Sequence, residues 1–151
     1  MSKKPARMVQ AQLHYPSHLM SPEDLLTFVE TPPFSRRLAS LNLTDDDLAV
    51  IQCMIMVEPR KHPVIEGTGG LRKMRCARQK NTRGKSDGYR VCYVYFEEFH
   101  FVLLVLIYAK NELDNLPDSH NKAYRQLIAR AELELQQNPK RFGAPKPADK
   151  T

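Results

Sequence analysis

Residues 66–110 carry the pattern that decides the fold, and they read EGTGGLRKMRCARQKNTRGKSDGYRVCYVYFEEFHFVLLVLIYAK. Polar and apolar side chains alternate over residues 73–76, with Met74 and Cys76 as the core positions, which is the two-residue period of a β-strand with one buried face. A polar loop follows, and residues 89–96 and 100–108 are then rich in β-branched and aromatic residues, as strands are. The sequence therefore predicts three consecutive antiparallel strands at the centre of a sheet.

Positive charge is concentrated in the same stretch. Residues 72–90 contain eight basic side chains and one acidic side chain, Asp87, for a net charge of +7, whereas the whole chain of 151 residues carries +6. The rest of the protein therefore sums to −1. A cationic cluster on an ordered element, unlike an excess scattered over the surface, indicates a polyanionic partner.

Two helices are predicted before this stretch. Residues 34–58 have apolar positions at helical spacing, with a turn at Asn42 and Leu43. Thr44 is a favourable N-cap, and three aspartates follow it, where negative charge meets the positive end of the helix dipole. We therefore expect a helical hairpin over this segment.

Two further elements are predicted at the ends of the domain. Residues 25–30 (LLTFVE) are largely apolar, and residues 21–24 before them could start a helix, but the pair of prolines that follows favours an edge strand at residues 27–30. Apolar positions at helical spacing return after Pro117, with Asp118 or Ser119 as the cap, and predict a C-terminal helix.

We expect residues 1–22 to be a flexible basic extension, residues 23–137 to be one α+β domain, and residues 138–151 to be a disordered tail.

The composition excludes several classes of protein. The longest apolar run, residues 101–109, is shorter than the roughly 18 residues of a membrane span, so no membrane partner is expected. The three cysteines have no CxxC spacing and the five histidines form no paired pattern, so neither a disulfide nor a metal site is expected. Reduced thiols and the lack of an apolar segment at the start, MSKKPARMVQAQ, favour a cytoplasmic protein.

The cations of the first two strands are expected to meet. Alternation places Lys73 and Arg75 on one face and Met74 on the buried face. On the next strand, Arg90 shares a face with Cys92. Arg90 therefore joins the other two cations if the Cys92 side is the open one near the beginning of its strand, or if a bulge intervenes.

Clustered cations beside tyrosines support two kinds of chemistry. They bind phosphates by releasing counterions, or they cleave RNA without a metal. In cleavage a base takes the proton of the 2′-hydroxyl, cations stabilise the phosphorane and an acid protonates the leaving 5′-oxygen. A lysine crowded by arginines has a lowered pKa and can act as the base. The residues alone leave binding and cleavage open, and the loop cations Arg78, Lys80 and Arg83 fit phosphate steering or a solvated surface.

The order of several motifs resembles the RelE/HigB-type toxins of bacterial type II toxin–antitoxin modules, in the RelE/ParE superfamily. The matching motifs cover more than half of the chain and are FVETPPF at 28–34, LTDDDLAVIQ at 43–52, GTGGLRK at 67–73, GKSDGYRV at 84–91 and YAKNE at 108–112. The resemblance implies an α+β RelE-like fold, namely a twisted, mainly antiparallel sheet with an N-terminal helical hairpin and a C-terminal helix.

The resemblance also implies an activity, which is ribosome-dependent cleavage of mRNA in the A site. It assigns catalytic positions to Lys73, Arg75, Arg90 and Lys110, with Lys73 as the base, Arg75 and Arg90 as clamps on the transition state, and Lys85 or Lys110 at the leaving group or phosphate. Residues implied to contact RNA or the ribosome are Arg72, Arg78, Lys80, Arg83, Lys85 and Tyr108. Tyr108 and Tyr124 are candidates for the aromatic residue that stacks on a base in this family.

The implied partners are mRNA on the ribosome, 16S rRNA and a cognate antitoxin of the DNA-binding type, and no cofactor or metal is implied. Two other functions stay open. The first is a non-catalytic inhibitor of DNA gyrase, as in the ParE branch of the same fold. The second is an RNA- or ribosome-binding module whose basic hairpin only docks.

Overall fold

The computed structural model describes residues 8–11, 25–77, 88–112 and 116–142. Within these ranges the chain is an α+β structure with one five-stranded mixed sheet and three α-helices. The strands are β1 (Val9–Gln10), β2 (Thr27–Glu30), β3 (Arg72–Cys76), β4 (Tyr89–Phe96) and β5 (Phe101–Ala109). The helices are α1 (Pro32–Ser40), α2 (Asp45–Val57) and α3 (Asn121–Gln137).

The sheet has the order β1-β2-β5-β4-β3. The predicted antiparallel arrangement of β3, β4 and β5 is confirmed, whereas β2 runs parallel to β5. The prediction of β2 as an edge strand is wrong, because β1 pairs with its outer side. Thr27, Phe28 and Val29 are all buried, and a strand buried in this way requires hydrogen-bonding partners along both edges.

The segment expected to be a flexible extension contributes β1. The Ala11 N–H donates to the Phe28 carbonyl at 2.8 Å, and Ala11 is only 7% exposed. Residues 8–11 thus belong to the sheet, while residues 1–7 and 12–24 lie outside the described residues.

The beginning of the predicted tail also packs on the domain. The ring of Phe142 lies 5.4 Å from the ring of Phe101, measured between centroids. Phe142 joins the apolar cluster beneath α3, because burying its ring removes apolar surface from water. Residues 143–151 lie outside the described residues.

The two N-terminal helices are encoded by local signals. α1 begins at Pro32, two residues earlier than predicted, because proline is favourable in the first turn of a helix and the Thr31 hydroxyl accepts a hydrogen bond from the Phe34 N–H. The predicted N-cap at Thr44 is confirmed, and it forms a capping box in which Thr44 and Asp47 satisfy each other's backbone N–H groups.

Helices cover both faces of the sheet. One face packs against α1 and α2, with Phe34 and Ile55 among its fully buried residues. The other face packs against α3 through Ile128 and Leu135. We name this second side the α3 face, and strand residues reach the two sides by alternation.

The start of α3 differs from the prediction. Asp118 and Ser119 lie in a 3₁₀ turn, and α3 begins at Asn121 without a side-chain cap. This end of the helix docks instead on the glycine turn before β3. There the Arg125 guanidinium donates to the Gly67 carbonyl at 2.6 Å. Gly67 has φ +85°, which favours glycine, and a Cβ atom on it would also displace the side-chain amide of Asn121, whose Nδ2 would lie 2.7 Å away.

A β-bulge lies between β4 and β5. Cys92 pairs with Leu106 while Tyr93 pairs with Leu104, which leaves Val105 as the extra residue on β5. Beyond the bulge, Tyr108 lies directly opposite Arg90. The bulge thus sets which residues at the end of β5 reach the α3 face.

No helix within the described residues is both long enough and apolar enough to span a membrane.

Candidate nucleic-acid interface

Three of the predicted catalytic cations lie together on the α3 face. Arg75 is the direct cross-strand partner of Arg90, and Lys73 is the partner of Cys92. Directly paired residues of antiparallel strands project from the same face, with Cβ atoms about 5 Å apart. The Cys92 side is therefore the side that Arg90 shares with Lys73 and Arg75, and the β3–β4 register contains no bulge.

These three residues, which we call the cationic cluster, have no acidic partner in the described parts of the chain. The ion pairs found there lie elsewhere and are Arg37–Glu112, Arg60–Glu97, Lys61–Glu58 and Arg141–Glu134. Arg75 is exposed, and Lys73 and Arg90 are half-buried. Like charges placed side by side without a counter-ion favour an external anion.

Lys110 lies at the same end of the sheet as Arg90. It follows β5 directly, and its backbone N–H donates to the Gly88 carbonyl at 3.0 Å, two residues before Arg90. Its side chain is exposed. The structure therefore brings a fourth predicted catalytic residue to the end of β4 where the cationic cluster lies.

Arg72 is separated from this group. It projects from the face opposite Lys73, and its guanidinium donates to the carbonyls of Arg60 at 2.9 Å and His62 at 2.7 Å. The hydroxyl of Tyr93 donates to the carbonyl of Pro59 in the same turn, at 2.8 Å. Arg72 thus stabilises the turn that follows α2 by hydrogen bonds to its carbonyls. The contact of Arg72 with RNA stays a prediction.

The two tyrosine candidates have different surroundings. Tyr108 is 3% exposed and packs in the core under α3, so its ring cannot stack on a base in this conformation. Tyr124 is half-buried on the first turn of α3. Burial raises the pKa of Tyr124, and the nearby Cys92 raises it further. Tyr124 packs against the apolar cluster on the α3 face that also contains Cys92, whose strand partner is Lys73.

The sequence patterns do not mark His120 as a candidate functional residue. Its ring lies 6.3 Å from the ring of Tyr124, edge to face, at the start of α3. The sequence feature that predicts this ring contact is the spacing of four residues between His120 and Tyr124, because side chains at i and i+4 meet on a helix. His120 is exposed, so its imidazole is accessible from solvent near this surface.

The thiols around the cluster are inert. Burial raises the pKa of Cys92 to about 12 against the opposing effect of Lys73, and it raises the pKa of Cys76 to about 12 against Arg90. Among the described residues, no group of three or more His, Cys, Asp or Glu side chains is placed to hold a metal ion. The predicted RNA-contacting residues Arg78, Lys80, Arg83 and Lys85 lie outside the described residues.

The chemistry available at this surface is that of fixed positive charge. Lys73, Arg75 and Arg90 can bind consecutive phosphate groups or a single phosphate whose charge increases during reaction. Tyr124 packs against the apolar cluster that contains Cys92, on the side of the sheet from which the three cations project. No family model matches the chain.

Proposed function

We propose that this protein is a ribosome-dependent mRNA endonuclease of the RelE/HigB toxin type, which cuts mRNA in the A site and so inhibits translation in the cytoplasm. The observation that carries the proposal is the register of β3 and β4, which sets Arg75 opposite Arg90 with Lys73 on the same face. The proposal extends to a RelE-like fold and to neutralisation by a cognate antitoxin.

The proposed reaction is an internal transfer at phosphorus. The 2′-oxygen of the nucleotide bonds to the adjacent phosphorus and gives its proton to Lys73, while the bond from phosphorus to the 5′-oxygen breaks. Arg75 and Arg90 stabilise the two negative charges of the phosphorane. Lys110 or Lys85 contacts the leaving group, and the 5′-oxygen takes its proton from solvent water, to which Lys73 in turn releases the proton of the 2′-hydroxyl. The products are a 2′,3′-cyclic phosphate and a 5′-hydroxyl.

Primer extension on a translated message tests the proposal. Wild-type protein is expected to create new in-frame 5′ ends, and a Lys73→Ala, Arg90→Ala double variant is expected to create about 100-fold fewer or none. A Lys122→Ala, Arg130→Ala variant is the matched control, since it removes two exposed cations from α3. The proposal is contradicted if the Lys73→Ala, Arg90→Ala variant cuts the message as well as the wild type does, or if the wild type does not cut it.

An RNA-binding module without catalysis is the second candidate. The observation that favours it is that, in the parts of the chain that the structure describes, no carboxylate lies within ion-pair distance of the cationic cluster. The cluster therefore lacks an adjacent acidic residue of the usual acid–base type. Salt-sensitive binding to ribosomes with intact message identifies this module. Arrest of DNA supercoiling by gyrase identifies the ParE-like inhibitor instead.

A further inference from the structure

Along the edge of β5 that faces β2, some of the backbone hydrogen bonds are made by residues outside β2. Where both strands are described, β2 pairs with β5 only as far as Leu104. The next hydrogen bonds to β5 come from Thr31. Its N–H donates to the Leu104 carbonyl and its hydroxyl donates to the Val105 carbonyl, both at 2.9 Å. At the end of the strand, the Ala109 N–H donates to the carboxylate of Glu112 at 2.9 Å. A side chain thus replaces a neighbouring strand at this position.

The same glutamate closes a tight turn around Lys110. The Glu112 N–H donates to the Ala109 carbonyl at 3.0 Å, so both backbone polar groups of Ala109 bond to Glu112. Lys110 lies inside this turn, and its own N–H bonds to Gly88 on the β4 side. The backbone of Lys110 is therefore fixed from two directions, next to the strand that carries Arg90.

Arg37 of α1 holds the glutamate in place. Its guanidinium donates to the same carboxylate oxygen that accepts from Ala109, and it also reaches the Ser40 hydroxyl at 3.3 Å. The Ala109 hydrogen bond, and then Arg37, lower the pKa of Glu112. The pair is partly exposed, and such pairs contribute little to the stability of a whole protein. The effect of the Arg37–Glu112 pair is therefore expected to be confined to the turn that contains Lys110.

We propose that Arg37 and Glu112 are positioning residues for Lys110. They hold the turn so that the ammonium group of Lys110 is presented to a phosphate bound at the cationic cluster. Neither residue contacts RNA itself in this arrangement. The inference rests on the proposed function and adds to it an ionic link from α1 to the site.

A double-mutant cycle with Lys110 tests the inference by primer extension. Glu112→Ala and Lys110→Ala are each expected to lower cleavage by roughly 10- to 100-fold, and the double variant is expected to be no worse than Lys110→Ala alone. Glu112→Gln keeps an acceptor for the Ala109 N–H and is expected to restore part of the activity. Glu97→Ala removes another exposed glutamate, which pairs with Arg60, and should cleave normally.

Amide hydrogen exchange gives a second readout that does not depend on cleavage. The Ala109 amide is expected to exchange about tenfold faster in Glu112→Ala than in the wild type, with an unchanged rate in Glu97→Ala. The inference is overturned if the fold losses in cleavage of the two single variants multiply in the double variant. It is also overturned if the exchange rate of the Ala109 amide in Glu112→Ala equals that of the wild type. In either case, cleavage by the wild type still supports the proposed function. A wild type that leaves translated message intact overturns both.

Discussion

Arg72 and Lys73 are neighbours in sequence but lie on opposite faces of β3. Lys73 and Arg75 face α3, whereas Arg72 bonds to two carbonyls of the turn after α2. The grouping of Lys73 with Arg75 was predictable, because the side chains of a strand alternate between its faces. The partners of Arg72 were not, because they are backbone groups 10 and 12 residues away that no side-chain pattern marks.

Replacing Arg72 should therefore affect stability more than RNA binding. We expect Arg72→Ala to lower the free energy of unfolding by about 1.5–3 kcal/mol, since hydrogen bonds from a charged donor are lost. Urea unfolding measures this change, and fluorescence anisotropy with an oligoribonucleotide measures affinity. Arg75→Ala is the control. If the two variants lose the same affinity and Arg72→Ala keeps full stability, the structural role of Arg72 is refuted.

Replacing Arg75 should have the opposite effect, namely higher stability and weaker RNA binding. Arg75 lies directly opposite Arg90, and like charges at such positions destabilise a sheet. We expect Arg75→Gln to raise the free energy of unfolding by about 0.2–1 kcal/mol. The same change should weaken RNA binding and reduce the slope of log K against log salt by about 1. A variant that is less stable and binds normally would count against the cationic cluster as a phosphate site.

At the scale of elements, the sequence predicted β2, β3, β4 and β5 and missed β1. The bounds of β4 match the predicted residues 89–96, because six of its eight residues are β-branched or aromatic. β1 has two residues, which is too short for any period to appear. The parallel pairing of β2 with β5 joins residues more than 70 positions apart, and local sequence does not encode such a contact.

The C-terminal segment provides a test at this scale. Phe142 packs on Phe101 from a stretch that the composition predicts to be disordered. We expect Phe142→Ala to lower the free energy of unfolding by about 1–2 kcal/mol, since a half-buried aromatic contact is lost. Thermal unfolding checks this, with Phe142→Leu losing about half as much. An unchanged midpoint in both variants would show that the segment makes no contribution in solution.

At the scale of the molecule, the sheet separates two apolar cores, and each holds a buried thiol. Cys76 belongs to the core under α1 and α2, and Cys92 belongs to the core under α3. Burial raises the pKa of both to about 12. The sequence predicted reduced, packed thiols, but it could not place them on opposite sides, because that requires the register of β3 against β4.

This burial predicts how stability depends on pH. Free thiols have a pKa of about 8.5, so above that value the unfolded chain releases protons that native Cys76 and Cys92 retain. Stability is therefore complete below pH ~8.5 and falls as the pH rises, by up to about 1.4 kcal/mol per pH unit for each thiol. Urea unfolding between pH 7 and pH 10 measures the slope.

Thiol labelling of the native protein at pH 8 is the accompanying control. Cys53, which is partly exposed, is expected to react slowly, and Cys76 and Cys92 are expected to react only after unfolding. Simultaneous labelling of all three thiols would contradict the two-core arrangement.

The extra residue in β5 makes this strand tolerant of one change in chain length. Deleting Val105 would remove the bulge and leave Ile107 and Tyr108 opposite their present partners, so the surface around Arg90 would keep its composition. If β5 kept all its residues but paired without the bulge, Ile107 would lie opposite Arg90, and Tyr108 would move to the side of α1 and α2. A deletion of Val105 should therefore be tolerated better than the insertion of one residue directly before Tyr108, which would shift Tyr108 and the Lys110 turn relative to Arg90.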